Sequence, residues 1–365
     1  MGVSGAGENA TCKAFAAHDA SGVFSEIELQ RRALLADDVS ISILYSGVCH
    51  SDAHTVLSEW GPIPYPMVPG HEIVGRVDAV GSAVTKFKVG DIGAVGTFVD
   101  QCDSCEFCKN DLTALCTQMT ATYNSKSRRE GEPECCKITQ GGYASKIVTR
   151  EANVFQVPEA LLPQLEKVAP LLCAGITTYF PIVHYVGEDL TGLHVGVMGF
   201  GGLGHLAIKF AKAMGARVTV FSRSEQKRAG AMECGADEYV ASADDAQMKP
   251  KARSVDVMIN TVPFLIDLNP YFALVKKNGK FIQLSVPEKP MSIHMGMIVM
   301  NQLQFCGSLV GGLKVTEKML ALCAEKNIVP MCEVVEVGRV NEAFKRMIAG
   351  DVKYRFVLDL TKWTD

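Results

Sequence analysis

The sequence predicts an α/β protein of two lobes, one rich in antiparallel strands and one built on a doubly wound parallel sheet. Three observations predict it. The first third runs as short β-branched stretches punctuated by glycine. From about residue 163, apolar strands alternate with stretches of helical spacing. A length of 365 residues suits two domains, each able to bury its own core.

Taken in order, "VSISILYSGVC" (Val39 to Cys49), "EIVGRVDAVG" and "VGDIGAV" are the strands of the first lobe. Between two of them lies "GPIPYPMVPGHE", with prolines at 62, 64, 66 and 69. Each proline fixes its own φ and keeps the preceding residue extended, so a stiff segment presents His71 and Glu72. The hydrophilic insert Asn124 to Lys137 is predicted to be an exposed loop. The second lobe opens with the strand "HVGVMGF". Leu203, Leu206, Ala207, Phe210, Ala211 and Met214 then follow helical spacing, and "ARVTVF", "VDVMIN" and "KFIQLSV" return as strands. A helix around Val340 to Ile348 and a strand "YRFVLDL" close the chain. The expected division is 1–162 with 303–365 as one domain and 163–302 as the other.

Composition excludes several function classes. A net charge of −4 offers no basic field to nucleic acid or to an anionic membrane surface. No apolar run reaches the ~18 residues of a membrane span. The segment MGVSGAGENATCK has no secretory apolar core, Ala6 argues against myristoylation, and TKWTD carries no lipidation or peroxisomal signal. The expected location is the cytosol. In that reducing compartment 13 cysteines are unsuited to a disulfide framework, which turns attention to metal thiolates.

Cys102, Cys105, Cys108 and Cys116 are separated by two, two and seven residues. Four thiolates on one loop suit a closed tetrahedral zinc, which leaves no place for substrate and is therefore structural. Free loop thiols and an iron–sulfur cluster are the alternatives. A dispersed set is weaker piece by piece: "GVCHSDAH" (Cys49, Ser51, Asp52, His54), "PGHE" (His71, Glu72) and "LLCAGITTY" (Cys173, Thr177). Two thiolates, an imidazole and an open position would make a catalytic zinc shell.

"VGVMGFGGLGHLAIKF" places Gly199, Gly201 and Gly204 as G-x-G-x-x-G between a strand and a helix, with Gly202 and Leu203 completing the turn. That context marks a dinucleotide site, its pyrophosphate on the helix N-terminus. NAD sites set an acid about 20 residues on. Here Ser222 stands there, followed by Arg223, Ser224 and Lys227, hydroxyls and cations suited to a 2′-phosphate. Glu225 alone dissents. The expected cofactor is NADP(H).

"GVCHSD", "PGHEIVG", the cysteine loop, "LLCAGIT" and "GFGGLG" occur in the order of the zinc-dependent medium-chain alcohol dehydrogenases. Across essentially its whole length the chain resembles their cinnamyl-alcohol-dehydrogenase-like branch, which includes NADPH-dependent aldehyde reductases. The resemblance implies a GroES-like catalytic domain, a Rossmann domain and an active site in the cleft between them. It implies two zinc ions per chain: a catalytic one on Cys49, His71 and Cys173, with Glu72 as an exchanging fourth ligand, and a structural one on the four-cysteine loop. Asp52 would orient the imidazole, Ser51 and His54 would relay protons, and Thr177 would lie near the nicotinamide. The implied reaction interconverts aldehydes and primary alcohols, and the implied partner is a second copy of the chain.

Plant cinnamyl enzymes carry a tryptophan near the position of Ala121, so a wider pocket is expected, with Trp60 and Phe98 as pocket lining or core. Cys135 and Cys136 match no family motif and are read as surface thiols. The rival reactions are reduction of iminium ions or activated C=C bonds, and a non-catalytic NADPH-binding role.

Overall fold

The computed structural model describes residues 9–129, 132–287 and 289–363. The readings of the two chain ends fall mainly on residues 1–8 and 364–365, outside that range. The chain divides into two compact units, Met1–Cys173 with Gly312–Asp365, and Ala174–Gly311.

In the first unit the strand Asp38–Val48 is central. It pairs antiparallel with Ile73–Val80, Lys146–Arg150 and Arg355–Asp359. Asp38, Ser40 and Ser42 alternate with Val39, Ile41 and Ile43, and most of its residues are buried. Ile92–Val95 and Val154–Gln156 extend the sheet on one side, and Cys332–Glu336 pairs parallel with Arg355–Asp359 on the other. A separate hairpin, Ala10–Ala17 with Phe24–Arg31, was not foreseen. Val39, Ile41, Ile73, Phe24, Tyr143, Phe344 and Phe356 pack together as the core.

The second unit carries a six-stranded all-parallel sheet. Its order is Glu238–Ala241, Arg217–Ser222, His194–Met198, Val255–Asn260, Val275–Gln283, Gln304–Gly307. Numbered along the chain this is 3-2-1-4-5-6, the doubly wound dinucleotide-binding arrangement. Met198, Phe221, Met258, Phe272 and Phe281 form its core. Among the described residues no single helix is long and apolar enough to cross a membrane.

The insert at Asn124–Lys137 is exposed at Lys126, Arg128, Glu134, Cys135 and Lys137 and tied down elsewhere. Arg129 reaches Asp37 and Asp38, and Glu132 pairs with Arg32 at 3.1 Å with its side chain only 5% exposed. Charge pairing draws this polar stretch onto the sheet.

Candidate active site

Strand register explains how distant residues meet. Ser46 lies opposite Ile73, so the end of Asp38–Val48 adjoins the start of Ile73–Val80. Gly47 N–H donates to Glu72 O at 2.8 Å across that join. On the other flank Phe356 lies opposite Val48, which brings Arg355 to the same end. Cys173 arrives from the turn Ala169–Leu172.

The outcome is a buried cluster in which the ligand atoms of Cys49, His71, Glu72 and Cys173 all lie within 4.8 Å of one another. Cys49 Sγ and Cys173 Sγ are 3.8 Å apart. A tetrahedral zinc with Zn–S of about 2.3 Å sets two sulfurs about 3.8 Å apart, so this edge fits the ion. A hydrogen bond from the Cys173 thiol holds the Cys49 thiol well below its ordinary range.

Asp52 organises the cluster. It is fully buried in the short helix His50–Val56, whose N-cap is Cys49. Its Oδ2 accepts from Cys49 N–H at 2.9 Å and from the Tyr143 hydroxyl at 3.1 Å. Its Oδ1 accepts from Gly70 N–H at 3.2 Å and pairs with His71 Nδ1 at 3.1 Å. A carboxylate there keeps the proton on Nδ1 and leaves the Nε2 lone pair for a metal.

Glu72 is equally enclosed. Its Oε1 pairs with Arg355, while Oε2 is buried with no hydrogen-bond partner among the described residues. Burial pushes the carboxyl up to about 7, against the opposing pull of Arg355. Removing one member of such a buried pair costs about 3–5 kcal/mol. Only glycine is accommodated at position 47, because a Cβ there would stand 1.9 Å from Glu72 Oε2.

Cys49 Sγ–H donates to Ser51 Oγ at 3.6 Å. His54 pairs through Nδ1 with Glu59 and stacks on Trp60 at 4.8 Å between ring centroids. With Glu59 accepting, Nδ1 carries a proton. Trp60 is 56% exposed, so it is not core. Phe98 is buried opposite Ala121 in a short antiparallel pair.

In the cysteine lobe the Sγ–Sγ distances are 3.5 Å (Cys105–Cys108), 3.6 Å (Cys102–Cys116) and 3.9 Å (Cys102–Cys108). These bracket the zinc tetrahedral edge of about 3.8 Å. Backbone N–H groups of Cys105, Cys108 and Gln118 point at sulfurs at 3.3–3.4 Å, as thiolates require. The adjoining Asp111 accepts from Lys314 N–H at 2.9 Å and Val315 N–H at 2.7 Å, capping the helix Leu313–Lys326.

In the second unit Gly199, Gly201, Gly202 and Leu203 form the turn between His194–Met198 and the helix Gly204–Ala213. Gly199 has φ +85°, and a Cβ on Gly204 would lie 2.3 Å from Gly199 O. A Cβ on Gly201 would meet nothing within 4 Å, the open surface a pyrophosphate needs. Lys227 Nζ donates to Phe200 O at 3.0 Å, over this turn. Ser222 ends its strand buried, and Arg223 and Ser224 follow. Burial, and to a lesser extent the nearby Arg223, lower the Lys227 pKa. Glu225, the dissenting acid, is engaged by Arg228. Thr177 lies on the helix Ala174–Tyr185.

Sequence reasoning missed Arg355, Tyr143, Glu59 and Gly47. A lone cation opening an otherwise apolar strand, "RFVL", was the available signal for Arg355, since a buried charge needs a partner. Nothing local marks the other three.

Comparison with known proteins gives matches to two families. "Alcohol dehydrogenase GroES-like domain" matches residues 35–159, and "Zinc-binding dehydrogenase" matches residues 202–325. 8-Hydroxygeraniol dehydrogenase of Catharanthus roseus is 46% identical over 95% of this chain and 95% of its own. Vomilenine reductase of Rauvolfia serpentina is 45% identical over 95% of this chain and 94% of its own. The solved structure of CAD from Helicobacter pylori complexed with NADP(H) superposes with TM-score 0.89 at 36% identity, covering 98% of this chain and 100% of that one.

Proposed function

The chain belongs to the zinc-dependent medium-chain alcohol dehydrogenases, in their cinnamyl-alcohol-dehydrogenase-like branch, and from that premise we propose that it uses NADP(H) to reduce aldehydes to primary alcohols. The observation that carries this reading is the buried set of two thiols and one imidazole, with its carboxylate orienter and an adjacent serine hydroxyl.

Cys49, His71 and Cys173 would hold the catalytic zinc, and Cys102, Cys105, Cys108 and Cys116 the structural one. When bound, zinc supplies Lewis acidity at the carbonyl oxygen and the nicotinamide supplies hydride. Asp52 fixes the His71 tautomer through Nδ1. Glu72 has one oxygen held by Arg355 and one left unpartnered, which suits an exchanging ligand. Ser51 Oγ donates the proton the alcohol oxygen needs. His54 Nε2 would continue the path from Ser51, with Glu59 steadying the ring. Losing His54 is expected to cost on the order of 10²-fold in rate. Ser222, Arg223, Ser224 and Lys227 would bind the 2′-phosphate.

A homodimer is part of this reading. The edge strand Gln304–Gly307 is paired on one side only. Phe305, Leu309, Val299 and Met300 of the same unit are exposed, an apolar patch of the kind that marks an interface. Sedimentation of the purified protein tests it.

The deciding experiment couples NADPH or NADH to a panel of aliphatic, aromatic and terpenoid aldehydes, with zinc quantified in parallel. NADPH preference and loss of turnover on zinc removal are expected. A second reading, reduction of an iminium or activated C=C bond, is compatible with a relative whose name is that of a reductase, vomilenine reductase. Reductase activity that survives zinc removal would select it.

A further inference from the structure

Two adjacent thiols take part in neither zinc constellation. Cys135 and Cys136 lie in the single turn Glu134–Cys136, unlinked, with their sulfurs 3.6 Å apart. Neighbouring side chains on a helical turn normally diverge. Here one residue of the adjoining strand gathers them: Cys135 Sγ reaches Gln30 Oε1 at 3.3 Å and Cys136 Sγ reaches Gln30 O at 3.6 Å. Both border a cavity of about 60 Å³ that Arg129, Glu132 and Gln140 also line. Glu132 Oε2 is buried there without a hydrogen-bond partner among the described residues, its side chain 5% exposed.

We propose that Cys135 and Cys136 form a chelating site for a trivalent thiophilic metalloid of the arsenous-acid type, with Glu132 Oε2 accepting a hydrogen bond from the hydroxyl the bound element retains. A direct bond between adjacent cysteines closes a strained ring, whereas one bridging atom enlarges it. Zinc asks for four ligands and this turn offers two sulfurs, which with one retained hydroxyl complete a pyramidal three-coordinate centre. Arsenous acid, As(OH)3, exchanges two hydroxyls for two thiolate sulfurs. Two As–O and two S–H bonds break, two As–S bonds form and two waters leave. Arsenic stays trivalent, so no oxidant or reductant is involved. Burial and the neighbouring Cys135 push the Cys136 thiol up to about 12. The condensation carries that proton away in water and needs no standing thiolate.

The test uses the zinc-loaded enzyme incubated with sodium arsenite, desalted, analysed for arsenic and zinc, and peptide-mapped. One arsenic per chain on the 135–136 peptide is expected, with both zincs retained. Cys135→Ser and Cys136→Ser should each weaken binding about 100-fold, because the second sulfur acts at high effective concentration. Alcohol dehydrogenase turnover should be unchanged in both variants. Glu132→Gln should weaken arsenous acid about tenfold while sparing phenylarsine oxide, which keeps no hydroxyl once two thiols hold it. Arsenic uptake by both cysteine variants equal to that of the unaltered enzyme, uptake accompanied by zinc loss, or no uptake at millimolar arsenite would overturn the proposal.

Discussion

Replacing Asp52 by asparagine tests how the cluster is held. The carboxylate takes hydrogen bonds at four places, Cys49 N–H, Gly70 N–H, the Tyr143 hydroxyl and His71 Nδ1. Asparagine must turn an amide N–H toward one pair of them. At the Oδ1 side that clashes with Gly70 N–H and forces the His71 proton onto Nε2, the atom a metal needs. At the Oδ2 side the Tyr143 hydroxyl can rotate away, leaving one clash with Cys49 N–H. The second arrangement costs less, about one bond to a charged acceptor, or ~1.5–3 kcal/mol. Changing the orienting group of a zinc-bound histidine typically costs 10–100-fold in metal affinity or activity, which is about 1.4–2.7 kcal/mol. The two figures agree. Chelator competition for zinc and kcat/KM for an aromatic aldehyde should therefore both fall 10–100-fold, with the four-cysteine zinc retained. Values within twofold of the unaltered enzyme would refute the argument.

Further outcomes follow from the same geometry. Arg223→Ala with Lys227→Ala should raise KM for NADPH about 10–100-fold, the worth of a charged hydrogen bond, and leave KM for NADH nearly unchanged in steady-state kinetics. Cys105→Ala should release one zinc and free the lobe whose Asp111 caps the helix Leu313–Lys326. Losing that cap alone is worth about 1 kcal/mol, so calorimetry should record a fall of at least ~2 °C in Tm.

Much of the candidate site was legible because each candidate ligand sat in its own local signal. Cys49 ends a strand, His71 follows a proline-stiffened segment, and the cysteine loop is compact in sequence. The glycine turn was equally plain, since each glycine answers a steric demand visible in its strand-turn-helix setting. What was not legible is register. Nothing local says that Ser46 faces Ile73 or that Phe356 faces Val48, yet those pairings bring Cys49, Glu72 and Arg355 together. Gly47 reads as a strand irregularity until the carboxylate beneath it is seen. The ion pairs of the polar insert were equally invisible, since Arg129 and Glu132 find their partners at Asp37 and Arg32, far off in sequence.

Zinc counted in Cys173→Ala, beside its turnover, bears most directly on the central claim. One zinc per chain instead of two, near-native thermal unfolding and no aldehyde reduction are predicted, since the open shell loses a sulfur while the cysteine lobe keeps its own ion. Two zincs with turnover intact would contradict it.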